Sequence, residues 1–296
     1  MSIKARIDNW HSLLFSHRLK DLSERAILYM GVLGFLAHLL LIYLNRLGWL
    51  PENVFTAQHS LSDPLAAIYT PFSFILIYEV YLLVYYLPSS FTTSIAKQFE
   101  IISLIEVRNI FKDISHLEMT TDWFAHEANL AFTVDTLGFL VLFSLIYWFH
   151  RLRVKKPKSP LVERQLGFIT MKRLVSIILL FVLGGLAIYS LGIWLLEMND
   201  FRLGHVHELS DVNKIFYNDF FTLLVLVDVF ILMMSFHYTE KYSQLIRNSG
   251  YIISTVLIRL SFSSGAILNM ALIIAGLFFG VIILLIYNRV SQVELD

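Results

Sequence analysis

The sequence predicts an all-α, polytopic helical membrane protein: eight transmembrane helices in two tandem four-helix repeats of the same orientation, led by an N-terminal interfacial helix. Three observations carry this. The chain has 296 residues, is 57% hydrophobic with 16% charged residues, and has a mean hydropathy of +0.66, which is too apolar for a water-soluble domain of this size. Several runs approach the roughly 20 apolar residues that a helix needs to cross a bilayer, and none shows the ~10-residue alternation of barrel strands. A polar pentapeptide also recurs, as His59-Ser-Leu-Ser-Asp63 and His207-Glu-Leu-Ser-Asp211, each time ahead of a long apolar run.

Residues 1–24 mix charge and hydrophobe without a continuous apolar core, so no cleavable signal is expected there. They read as an interfacial helix, with Ile3, Trp10, Leu13, Leu14 and Phe15 toward lipid and Lys4, Arg6, Arg18 and Lys20 at the headgroups. Six crossings follow from hydropathy: 26–46, 65–87, 129–149, 173–197, 215–236 and 266–288. Two further segments need charge arguments, because 93–115 contains Lys97, Glu100, Glu106, Arg108 and Lys112, and 247–262 is short.

The stretch between His150 and Arg173 holds Arg151, Arg153, Lys155, Lys156, Lys158, Arg164 and Lys172, which marks it cytoplasmic by the positive-inside bias. The basic N-terminal arm is cytoplasmic on the same ground. Two anchors on one side require an even number of crossings between them, so 93–115 spans. The same count in the second half makes 247–262 a crossing and puts both termini in the cytoplasm of a cell with an inner (plasma) membrane. Trp49, Trp123 and Trp194 then fall at outer ends and Trp148 at an inner end, where indole rings prefer the headgroup layer.

The halves align in order. Val32-Leu-Gly-Phe-Leu-Ala37 matches Val182-Leu-Gly-Gly-Leu-Ala187 at a spacing of 150, His59 matches His207 at 148, and Tyr69 and Phe72 match Tyr217 and Phe220. Glu79 then meets Asp228, Ile101-Ile-Ser meets Ile252-Ile-Ser, and Arg108 meets Arg259. The domain plan is therefore an interfacial helix (1–24), a first four-helix repeat (25–152), a basic cytoplasmic linker (153–172) and a second repeat (173–296). With four crossings each, the copies insert the same way up, about an axis along the membrane normal.

Charges within the bilayer mark candidate sites, since each costs roughly 2.5–3.5 kcal/mol even on the lenient insertion scale. The proposed ion pathway comprises Glu79, Glu100, Asp228, Arg108, Arg259 and Asp135. Counting about 1.5 Å per residue puts Arg108 level with Asp135, which predicts that they pair. It also sets Glu79 against Glu100, two like charges that would recruit a cation or a proton; Lys97 is the alternative partner of Glu79. Pro71 is expected to kink the second helix above Glu79.

At the outer face, Asp63 and Asp211 read as helix N-caps, and together with His59, His205 and His207 they have the ligand types to hold a divalent metal or to titrate near pH 6–7. No other cofactor is expected. The chain has no cysteine, which excludes disulfides, thiolate metal sites and thiol catalysis. No paired haem ligands and no serine, histidine and acid grouping are readable, so an enzyme is not expected. Balanced charge without a basic aromatic surface points away from nucleic acid.

The function expected from this pattern is a channel or transporter for a small ion, with proton coupling an option. The second reading is a membrane scaffold or sensor subunit whose basic loop docks a cytoplasmic partner or anionic lipid. The partners implied are the lipid bilayer and the small ion, while Gly276 and Gly280, spaced as GxxxG, can seat a helix inside the fold or across a homo-oligomer interface.

Overall fold

The computed structural model describes residues 3–49, 64–114, 117, 119–153, 163–202, 212–239 and 241–293, and every regular element among them is a helix. A first helix, α1 (Ile3–Leu14), ends where Ser16 caps α2 (His17–Arg46) by accepting the amide of Leu19 at 3.2 Å. The first helix is thus shorter than the 1–24 span expected of it, because a hydroxyl at the N-cap satisfies an orphan amide and the good helix formers that follow propagate α2 into the apolar run.

A 3-10 turn (Pro64–Ile68) leads into α3 (Tyr69–Tyr85). Pro71 therefore falls in the first turn of α3, where its missing N–H costs nothing, and marks a helix start rather than the predicted kink. The remaining helices are α4 (Phe91–Ile114), α5 (Glu127–Leu152), α6 (Glu163–Arg202), α7 (Val212–Tyr238), α8 (Tyr242–Ser261) and α9 (Ala266–Val293). Among the described residues, five helical stretches are long and apolar enough to cross a membrane, with α3 apolar but shorter. The chain is a helical membrane protein on this measure. The charged α4 and α8 fall outside that set, although their 24 and 20 residues correspond to about 36 and 30 Å of helix.

The centre of the molecule is built from α4, α5, α8 and α9, with α2 and α3 packed outside α4 and with α6 and α7 outside α8. α4 is antiparallel to both its neighbours along its length. Its first turns meet the ends of α3 and α5 through Lys97 over the Tyr86 ring and Glu100 with His150, while its later turns bring Arg108 to Glu79. α8 lies likewise between α7 and α9, joined by Asn248 to Ser235 and by close approach of Gly250 to Ile283. α5 and α9 run parallel, as Gly138 meets Met270 near their starts and Asn288 Nδ2 donates to the Leu152 carbonyl at 2.9 Å near their ends.

Aromatic packing fills the middle: Phe149 contacts Phe99 at 5.0 Å and Tyr251 at 5.9 Å between ring centres, all three fully buried. The Gly276 and Gly280 pair works inside the fold. A Cβ on Gly276 would lie 2.7 Å from Ile258 and 2.9 Å from the Ser254 carbonyl, and one on Gly280 would lie 2.7 Å from Phe99. The bare backbone lets α8 and α4 close on α9, and Ser254 Oγ donates to the Gly276 carbonyl at 2.6 Å across the contact.

The N-terminal helix is pinned to α6 by Arg173, which donates to Asp8 at 2.7 Å. Lys172 beside it is buried, donating to the Ser89 carbonyl and standing 4.9 Å from the Phe91 ring centre. Two residues of the basic cluster between 150 and 173 are therefore engaged within the fold.

Candidate functional site: two buried acid and arginine couples

Each side of the central bundle carries one carboxylate bound to one guanidinium between adjacent helices. Arg108 of α4 donates to Glu79 of α3 at 3.3 Å, with both side chains buried. Arg259 of α8 lies 2.6 Å from Asp228 of α7, again buried. That contact lies off the line of the N–H bonds of Nη1, so it is ionic rather than an aligned hydrogen bond. Glu79 and Asp228 are 149 positions apart and Arg108 and Arg259 are 151 apart, so like residues form both couples.

The second couple is tied into a wider network. Thr255 Oγ1 donates to Asp228 at 3.0 Å, and Arg259 Nη2 donates to Gln98 of α4 at 3.2 Å, joining the two sides of the bundle. Two small cavities of about 10 Å³ flank it. One lies between Lys172, Gln98 and Asp228, the other between Gln98, Thr255 and Arg259. Each is about large enough for one water. Residues of unlike charge and polar side chains thus run from Lys172 to Arg259 through otherwise apolar packing.

Two predicted pairings are corrected. Arg108 joins Glu79, not Asp135. The depth count assumed upright helices and short side chains, whereas an arginine reaches several ångströms along the helix axis. Glu100 does not face Glu79: it binds Lys97 at 2.6 Å on its own helix and His150 of α5 at 2.9 Å, and is one-third exposed. Lys97 accordingly pairs with Glu100 and not with Glu79.

Asp135 sits instead in a second buried acidic group, opposite Glu106 and Asp113 of α4. The sequence placed Glu106 among the charges of α4 but gave it no role. Gln98, Thr255 and Lys172 also went unassigned, because a neutral side chain or a loop-end lysine gives no signal of burial. A usable signal existed at Asn129 and Asn269, 140 positions apart like Ile146-Tyr147 and Ile286-Tyr287, and both buried in the first turns of α5 and α9. The predicted outer-face site of His59, Asp63, His205, His207 and Asp211 lies outside the described residues.

Compared with known protein families, curated proteins and solved structures, the chain matches none. The functional reading therefore rests on the couples themselves.

Proposed function

We propose that the protein is an inner-membrane channel or transporter for a small ion, in which Glu79 with Arg108 and Asp228 with Arg259 form the gated polar path. In this reading the chain crosses eight times, with α4 and α8 as charged crossings, as a tandem duplication with both termini cytoplasmic. The observation that carries the reading is the occurrence of the same buried couple on both sides of the bundle. Buried ion pairs are no net gain over apolar packing of equal volume, so stability alone gives no reason to place two of them at matching positions.

The chemistry of such a couple suits ion handling. A carboxylate neutralised by guanidinium offers no free charge to a cation until a proton or an arriving cation displaces the arginine. The cavities beside Asp228 provide room for about one water each next to that exchange. Lys172, buried and donating to the Ser89 carbonyl, is unavailable to a docking partner.

Liposomes with ion-sensitive dyes test this. Flux should be present in the wild type and lost in Glu79→Gln with Asp228→Asn. Wild-type liposomes without flux, together with partner capture lost on neutralising Lys155, Lys156 and Lys158, would favour the scaffold instead.

A further inference from the structure

The acidic group around Asp135 has a property that the two couples lack: an excess of acceptors without donors. Glu106 Oε1 accepts from Asn109 and Asn269, both at 3.4 Å, but Glu106 Oε2 has no hydrogen-bond partner. Neither has Asp135 Oδ1. The same holds for Asn269 Oδ1, on a side chain whose amide nitrogen already points at Glu106. The three side chains expose 0%, 3% and 7% of their surface, so water does not satisfy these oxygens from outside.

With Glu106 ionised, the amide assignment of Asn269 is fixed by its neighbour, because the flipped form would set its carbonyl against Glu106 Oε1. The orphan oxygen is therefore a real acceptor, contributed by a neutral residue from a third helix, α9. A buried acceptor left unmade costs about 1–3 kcal/mol and more if charged, so three on neighbouring side chains call for a positive group among them.

Nearby groups do not supply it. α4 brings Arg108 and Asp113 toward Glu106, and α5 brings Asp135, which shares a side-chain hydrogen bond with Asp113. α9 contributes only the neutral Asn269, and Arg108 is already bound to Glu79 of α3. Among the charged groups acting on Glu106 and Asp135, carboxylates thus outnumber guanidinium.

We infer that Glu106, Asp135 and Asn269 form a buried binding site for a small monovalent cation, H⁺ or Na⁺, at the junction of α4, α5 and α9. The shared chemistry is oxygen ligation by two carboxylates and an amide carbonyl, the donor set of hard cations. This site goes beyond the proposed path, since occupancy is read without any flux and would stand if flux failed.

The test uses the full chain in nanodiscs. Its melting temperature is followed from pH 5 to pH 9 in NaCl against choline chloride. One bound ion should shift the midpoint by roughly 3 °C per tenfold change in its concentration in a chain of this size. A midpoint that falls as pH rises, equally in both salts, identifies the proton, because the folded state then holds a proton that the unfolded chain has released. A midpoint that rises with NaCl at pH 8 and not with choline identifies Na⁺.

Glu106→Gln should flatten either response and raise the melting temperature at high pH without sodium, since its new amide can donate to an orphan oxygen. Asp135→Asn serves as the second variant. A response that persists unchanged in both variants overturns the site. If neither variant folds, the wild type decides through a protonated-carboxyl infrared band or retained ²²Na⁺, and the absence of both overturns it.

Discussion

The couple of Glu79 with Arg108 and that of Asp228 with Arg259 are made from the same charges on corresponding helices, yet they are held differently. Arg108 donates to its acid at 3.3 Å and stands near a second carboxylate, Glu106. Arg259 meets its acid at 2.6 Å, shares it with Thr255, and reaches Gln98 across the bundle. The second couple is a network that ties the two sides together, and the first stands beside a further acid. Charge type is common to both sides. The link to Gln98 across the bundle belongs to the second.

The largest expected effect breaks that comparison directly. Asp228→Ala leaves the Arg259 guanidinium buried without its acid and should cost about 3–5 kcal/mol. Glu79→Ala should cost less, about 1–3 kcal/mol, because Glu106 stands close enough to take up part of the Arg108 charge. Denaturant titration in nanodiscs measures both, and equal losses would mean that the neutral neighbours of Arg259 contribute nothing.

A middle-sized effect separates the matched Val-Leu-Gly segments. A Cβ on Gly34 would lie 2.6 Å from the Phe74 ring, whereas one on Gly184 meets nothing within 4 Å. Gly34→Ala should therefore lose about 1 kcal/mol or more through overpacking, while Gly184→Ala should gain up to about 1 kcal/mol of helix propensity. Thermal unfolding of the two variants gives the signs, and like signs would show that α2 and α6 pack alike after all.

The smallest effect concerns Glu100, whose counterpart is the fully buried Tyr251. Glu100 and Lys97 are each one-third exposed, so Glu100→Gln should change stability by less than about 1 kcal/mol and leave ion flux intact. Loss of flux in that variant would return Glu100 to the path from which its contacts remove it.

Much of the helix plan was legible. Each of the eight segments read from hydropathy and charge falls on a helix, including 93–115 and 247–262, because long apolar or amphipathic runs specify helix whatever they pack against. The N-terminal boundary was not, since Ser16 starts α2 well before its apolar run begins. The site was legible by residue type and not by partner. Glu79, Arg108, Asp228 and Arg259 stood out as charges in apolar surroundings, but the bond from Arg108 to Glu79 depends on helix rotation and side-chain reach, which a count along the chain does not contain.

The sequence by itself determined that this is a helical membrane protein and which segments carry charges into it, because transfer into lipid depends on composition summed over each segment. Only the tertiary structure decided which charge answers which, and that Asn269 and Gln98 belong among them. Those outcomes turn on ångström-scale approach between helices far apart in the chain, set by small residues such as Gly276 and Gly138 where backbones close.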